Sequence, residues 1–175
     1  MAFNSDKLTL RLANNSDLPQ ITSFYKDVVD NLNQNNIPIW NDIYPACTYQ
    51  DDINNQVLYL LLNDQEILAI FAVDKLNTEE GSVQWLEPSA KALYLYRISV
   101  KVDYLNQGIG KLALDQAMKV AKEKGAEYLR LLVGDINVPA IKFYLRWGMR
   151  QAPGFFDEKI EDGSVLHEYG FEIKV

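Results

Sequence analysis

The sequence predicts an α+β protein of about seven strands and four helices. Three observations point there. Residues 57–62 and 67–73 are apolar on both faces and flank Asn63-Asp64-Gln65-Glu66, which reads as a central hairpin covered on each side. Residues 94–124 read as a strand, a glycine-bearing loop and a helix. Two-residue and helical periods succeed one another as strand, two helices, three strands, helix, strand, helix, two strands.

Each element has local reasons. Leu8, Leu10 and Leu12 alternate in a first strand. Asp17 is expected to cap the first helix, with Gln20 completing a capping box and Pro19 in the first turn. Ile21, Phe24, Tyr25, Val28, Val29 and Leu32 form its buried stripe, and the asparagine-rich residues 33–36 end it. Residues 37–49 have no clean period. They set Ile37, Ile39, Trp40, Ile43, Tyr44, Cys47 and Tyr49 among Pro38, Asn41, Asp42 and Pro45. So apolar a loop must pack against something. Thr48 then caps a short helix.

Residues 74–91 are polar and irregular, with Trp85 and Leu86 expected to tuck them down, and 92–100 is a strand. Ile109, Leu112, Ala113, Ala117, Val120 and Ala121 make one apolar stripe, opposite Lys111, Asp115 and Lys119. Gly125 is the expected C-cap. Residues 128–133 form a buried strand. Asn137 caps a helix with Pro139 in its first turn and a stop at Gly148. Residues 155–160 and 165–173 pair across Glu161-Asp162-Gly163-Ser164. In the second of these, Val165, His167, Tyr169, Phe171 and Ile173 alternate with Glu168, Gly170, Glu172 and Lys174, which predicts a half-buried strand. No repeat or linker interrupts residues 1–175, which read as a single domain.

Composition narrows the function. The chain has 175 residues, 24 Asp and Glu against 17 Lys and Arg, and a formal net charge of −7. Nucleic acid is not an expected partner, because its binding rests on a basic patch. An acidic surface suits a cationic amine. With Cys47 the one cysteine and His167 the one histidine, neither an internal disulfide nor a metal site is expected. No apolar run approaches a membrane span or a signal peptide, so the expected place is the cytoplasm, without membrane contact, as a monomer or homodimer.

The chemistry concentrates after Val100. A strand, a glycine loop and a helix N-terminus are the arrangement in which backbone N–H groups converge on an anion. Gly108 and Gly110 lack a Cβ, so a phosphate can approach the main chain. The same glycines fit a dinucleotide fingerprint, Gly108-Ile-Gly110-Lys-Leu-Ala113. Against that reading, several polar residues separate Val100 from Gly108, and residues 128–133 bring no acidic residue at the required place.

Gln107-Gly108-Ile109-Gly110-Lys111 resembles the acetyl-CoA loop of the GNAT superfamily of N-acetyltransferases. Asn137-Val-Pro-Ala140-Ile-Lys-Phe143-Tyr144-Leu-Arg-Trp-Gly148-Met149 resembles a second segment of that family, in the right order. Leu105 and Met149 depart from the usual Arg or Gln and the usual Phe. The resemblance implies a mixed, mostly antiparallel sheet that splays near its fourth strand. It implies transfer of acetyl from acetyl-CoA to a primary amine, on a small molecule or peptide, directly in a ternary complex. It assigns the pantetheine arm and acetyl carbonyl to the main chain of Ile98, Ser99 and Val100, and the pyrophosphate to Asn106, Gln107, Gly108, Ile109, Gly110 and Lys111. By the same resemblance Asn137, a helix cap in its own right, is expected also to reach the cofactor, and Tyr144 to be the general acid for the departing thiolate. Trp40 and Tyr44 fall where the family lines the acceptor pocket.

Alternatives remain at several points. Tyr144 also reads as a core aromatic, and the 37–49 loop as a cover for one end of the sheet. The domain could bind acyl-CoA as a sensor and catalyse nothing. The base is open among Glu87, Asp42 and a water chain. His167 reads as a core residue before it reads as a base, and Cys47 would be a nucleophile only on a ping-pong route.

Overall fold

A computed structural model describes residues 7–41, 43–75, 82–159 and 165–175. Among the described residues, eight strands and four α-helices follow one another as β1 (Leu8–Leu12), α1 (Leu18–Gln34), α2 (Tyr49–Asn54), β2 (Leu58–Asn63), β3 (Glu66–Asp74), β4 (Ala92–Val100), α3 (Ile109–Glu123), β5 (Tyr128–Gly134), α4 (Val138–Arg146), β6 (Arg150–Gln151), β7 (Phe156–Lys159) and β8 (Val165–Lys174). The sheet is mixed, in the order β1-β2-β3-β4-β5-β8-β6, with β7 also on β8. The eighth strand is β6, whose two residues are too few to display a period. β4 and β5 pair in parallel through Ala92↔Tyr128, Leu93↔Leu129 and Tyr94↔Arg130.

The residues gather into two compact units, and β4 and α3 run through both. The first holds residues 1–73 and 97–117. Its hairpin β2–β3 is almost wholly buried, as a run apolar on both faces requires: Leu58, Leu60, Leu68, Ile70 and Phe71 are at most 1% exposed. Leu8 faces Asn63 and Leu12 faces Tyr59 in the antiparallel pairing of β1 on β2. Helix α1 buries Ile21, Phe24, Tyr25, Val28 and Val29, the predicted stripe, while Leu32 is half-buried.

The start of α1 differs from expectation. Asp17 makes no cap bond to the helix. The capping box belongs to the turn before it, where Asn14 accepts from Ser16 N–H and Asp17 accepts from Asn14 N–H. Asp17 also grips Arg11 in a two-pronged pair, both contacts at 2.7 Å. A bidentate guanidinium outcompetes a weak amide donor for the same carboxylate.

The second unit holds residues 74–96 and 118–175. Trp85, Tyr94 and Ala152 form a buried cluster there, with Val83, Ala92, Tyr96 and Leu132 against it, so Trp85 does tuck its segment down. Leu86 stays exposed. The predicted two-residue period of β8 fails. Glu172 is 0% exposed, whereas His167 and Val165 lie in solvent. Glu172 is buried because Arg130 from β5 reaches it at 3.2 Å and Arg150 at 3.5 Å, and Arg130 lies 4.6 Å over the Trp85 ring. A charge that brings its own partners is read as surface by periodicity and as core by the fold. The turn at residues 161–164 lies outside the described residues, and the β7–β8 pairing around it is as expected, Phe156↔Glu168 to Lys159↔Val165.

Candidate active site

In the first unit, β3 anchors the approach to the glycine loop. Glu66 pairs with Lys101 and accepts from the Tyr104 hydroxyl at 2.9 Å. The Lys101 contact holds the Glu66 carboxyl below its ordinary value. Lys101 N–H also donates to Leu68 O at 2.8 Å. The chain then turns through Val102–Tyr104, and the Gln107 side chain donates back to Asp103 O at 2.8 Å. Asn106 and Gly108 both take the left-handed conformation, with φ +60° and +87°. Asn and Gly tolerate that region, and other residues pay for it. Helix α3 starts at Ile109, and its first bond from outside the helix is Leu112 N–H to Gly108 O at 3.2 Å.

The result is a row of free donors. Among the described residues, no hydrogen bond uses the N–H of Gln107, Gly108, Ile109 or Gly110. Four successive amides at a helix N-terminus form an anion cradle. A Cβ on Gly108 would meet nothing within 4 Å, so the space beside that residue is open. These residues fit a pyrophosphate. Lys111 is engaged with Asp115 one turn along.

On β4, Ile98 and Val100 are half-buried and Ser99 is buried. Arg97 before them, still within the strand, takes the left-handed conformation with φ +50°. Its guanidinium meets Asp52 of α2 at 2.5 Å and bonds the Tyr44 hydroxyl. Its carbonyl accepts from Tyr25 of α1 at 2.8 Å and from Ser99 Oγ at 3.3 Å. Burial pushes the Asp52 carboxyl up despite the pull of Arg97.

Trp40 and Tyr44 end up here as well. Trp40 lies edge-on to Tyr25 at 5.8 Å and to Tyr44 at 6.3 Å, and Tyr25 stacks on Tyr49 at 5.0 Å. Both are half-buried. The irregular loop therefore packs on α1 and on the strand that bears Ile98, Ser99 and Val100. Cys47 is exposed, and Asp42 lies outside the described residues.

In the second unit, Asn137 caps α4 by accepting from Ala140 N–H at 3.3 Å. The helix closes with Met149 N–H on Tyr144 O and Gly148 N–H on Leu145 O, at 3.1 and 3.2 Å. That double bond pattern needs a left-handed residue at the second position, and Gly148 supplies φ +86°. Tyr144 is 6% exposed and lies 5.9 Å from Phe171. No hydrogen bond among the described residues engages its hydroxyl. Burial pushes its phenol well above the ordinary value, so it stays protonated. Glu87 is exposed and uses its carbonyl for Arg130 at 2.7 Å. His167 is exposed, not core; it pairs with Asp157 and lies edge-on to Phe155 at 5.4 Å.

Sequence reasoning missed Arg97, Asp52 and Tyr25, whose roles depend on contacts far apart in the chain. It also missed Glu168. This half-buried residue is the diagonal neighbour of Glu158 on one face of β7–β8. Burial, with Glu158 adding to it, raises its carboxyl to about 7. Its folded value lies above the unfolded one of about 4.3. The protonated form is therefore favoured by folding, and that stability is lost as pH rises from about 4.3 through 7. Glu168→Gln should stabilise the protein by about 1–2 kcal/mol at pH 8 and leave it unchanged near pH 4. Urea unfolding at the two pH values checks this; equal effects at both would refute it.

The comparisons with known proteins agree with the fold. Residues 25–149 match the model of the Acetyltransferase (GNAT) family. Thialysine N-epsilon-acetyltransferase of Sus scrofa is 34% identical over 83 residues, 46% of this chain and 48% of that protein. The match thus spans about half the length of that relative. A GNAT-family acetyltransferase from Streptococcus agalactiae has the same fold, with TM-score 0.79 at 17% identity over 99% of this chain and 98% of that one. The yncA protein of Salmonella typhimurium, solved with its cofactor acetyl-CoA, has TM-score 0.62 at 14% identity over 96% and 94%. Among the described residues, no helix is long and apolar enough to cross a membrane. The chain belongs to the Acetyltransferase (GNAT) family.

Proposed function

We propose that this protein, as one domain over residues 1–175, moves the acetyl group of acetyl-CoA directly onto a primary amine. The observation that carries the reading is the row of four unpaired amides from Gln107 to Gly110. Those donors suit a pyrophosphate, and Asn106 and Lys111 flank them. The main chain of Ile98, Ser99 and Val100 receives the pantetheine arm and the thioester carbonyl. Fixed donors to an oxygen that gains charge are worth about 2.7–4 kcal/mol each in such reactions. A neutral amine attacks the carbonyl carbon. The new C–N bond forms as the nitrogen sheds a proton to solvent water, the C–S bond breaks, and Tyr144 gives a proton to the sulfur and regains one from solvent. Burial keeps the phenol protonated, so its proton is present when the C–S bond breaks. Asn137 sets the start of the helix that carries Tyr144.

Trp40 and Tyr44 line the acceptor side. The pig relative's name specifies an amine on an amino-acid side chain, and the formal charge of −7 suits a cationic acceptor. Lysine-like amines head the proposed class.

The test is a panel of thialysine, lysine, polyamines and short peptides, with acetyl-CoA and a thiol-release readout. Turnover is expected with at least one lysine-like amine. Acetyl-CoA at about 100 times its dissociation constant should stabilise the fold by about 2.7 kcal/mol. NAD should not. Stabilisation by NAD, or by neither ligand, would overturn the cofactor assignment. Stabilisation by acetyl-CoA with no turnover on any amine would leave an acyl-CoA sensor.

A further inference from the structure

Arg97 is an arginine in a conformation that glycine adopts freely. It sits inside a nine-residue strand, one position before the residues proposed to meet the thioester. A left-handed residue in a strand bends it and re-aims the residues beyond the bend. Such strain persists only where the surroundings over-determine it. Here they do, from three directions. The Tyr25 hydroxyl of α1 holds the carbonyl, Asp52 of α2 holds the guanidinium, and Ser99 bonds back to the same carbonyl. The side chains of the ionic pair are 9% and 12% exposed. A guanidinium so enclosed, with Asp52 and Tyr44 as partners, is a handle on the backbone and not a surface for the acceptor.

We propose that Tyr25 and Asp52 are positioning residues that lock β4 in its kink at Arg97 and so aim the main chain of Ile98, Ser99 and Val100 at the thioester. The inference rests on the acetyl-transfer reading above. It adds a function for three residues that the loop motif does not include. It also gives the aromatic loop a mechanical link to the reacting strand. Tyr44 touches the Arg97 side chain, and Trp40 touches Tyr25, which holds the Arg97 carbonyl. A side chain that merely filled space would need neither the hydroxyl of Tyr25 nor the charge of Asp52.

The experiment compares Tyr25→Phe, Asp52→Asn, Arg97→Ala and Arg97→Gly in the full chain. Three quantities are read: kcat/KM for acetyl-CoA with an amine chosen by the panel, the KM of that amine, and the dissociation constant of coenzyme A itself. Coenzyme A keeps the pyrophosphate and lacks the acetyl carbonyl. Tyr25→Phe retains the ring and its stacking, so it should fold. It should lower kcat/KM for acetyl-CoA on the order of tenfold by loss of one well-placed bond, with coenzyme A binding within about twofold of wild type. Arg97→Gly should keep more of kcat/KM than Arg97→Ala, because glycine enters the left-handed region without strain. Asp52→Asn should follow Tyr25→Phe. Wild-type kcat/KM in Tyr25→Phe would overturn the proposal, and so would equal losses in Arg97→Ala and Arg97→Gly. A loss confined to the acceptor KM would overturn it too, since the guanidinium would then be an acceptor contact. Should the Arg97 variants fail to fold, Tyr25→Phe alone decides. A wild-type protein that neither turns over nor binds coenzyme A refutes the acetyl-transfer reading instead, which is a separate result.

Discussion

Tyr144→Phe is expected to lower kcat by about 10²–10⁴-fold, the usual span for a lost general acid. The ring stays, so its contact with Phe171 and the burial of the site should survive, and thermal stability should be nearly unchanged. A group that acts only as the thiolate leaves affects the chemical step more than ground-state binding, so the affinity for acetyl-CoA should change little. The pH dependence is set by burial. Because the phenol lies well above its ordinary value, it does not ionise in the working range. The variant's loss should therefore be uniform across pH 6–9, with no change in the shape of the basic limb. Steady-state kinetics over that range measures both. A variant with wild-type kcat would return Tyr144 to a core aromatic and give the proton to water.

Gly110→Val tests the glycine loop. Gly110 lies in the first turn of α3, at the end of the row of free amides. A branched side chain there would stand where a pyrophosphate approaches the main chain. Charge-assisted hydrogen bonds are worth about 1.5–3 kcal/mol each, so losing two of them should cost on the order of 10²-fold or more in acetyl-CoA affinity. The unliganded fold should not suffer, since valine is a better helix residue than glycine by roughly 0.3–0.5 kcal/mol. Calorimetric titration of acetyl-CoA and a melting curve without ligand separate the two effects. Unchanged affinity would make the loop a structural turn alone.

Local features were the ones legible in the sequence. The glycine loop works through the backbone of adjacent residues, so its motif lies in one stretch. Helix α4 likewise carries its own cap at Asn137 and its own stop at Gly148. Where a role depends on a distant partner, local patterns misled. Glu172 looked like a solvent-facing strand residue, yet its partner Arg130 lies 42 residues away. Asp17 looked like a helix cap, and Arg11 claimed it. The kink at Arg97 has no local signature, because Asp52 and Tyr25 lie 45 and 72 residues off. The acceptor was not legible either, because residues 37–49 follow no period and only tertiary packing gives Trp40 and Tyr44 their setting.

Strand β8 carries on one flank two short strands in place of one long one. β6 meets it over Arg150–Gln151 and β7 over Phe156–Lys159. The chain between them crosses Gly154, where an added Cβ would lie 2.0 Å from Ser82 O, so the break is fixed by close packing. A long bare strand edge invites other chains to extend the sheet, and short, interrupted edges deny them a template. This border is therefore poorly suited to fibre growth or to strand-by-strand dimerisation.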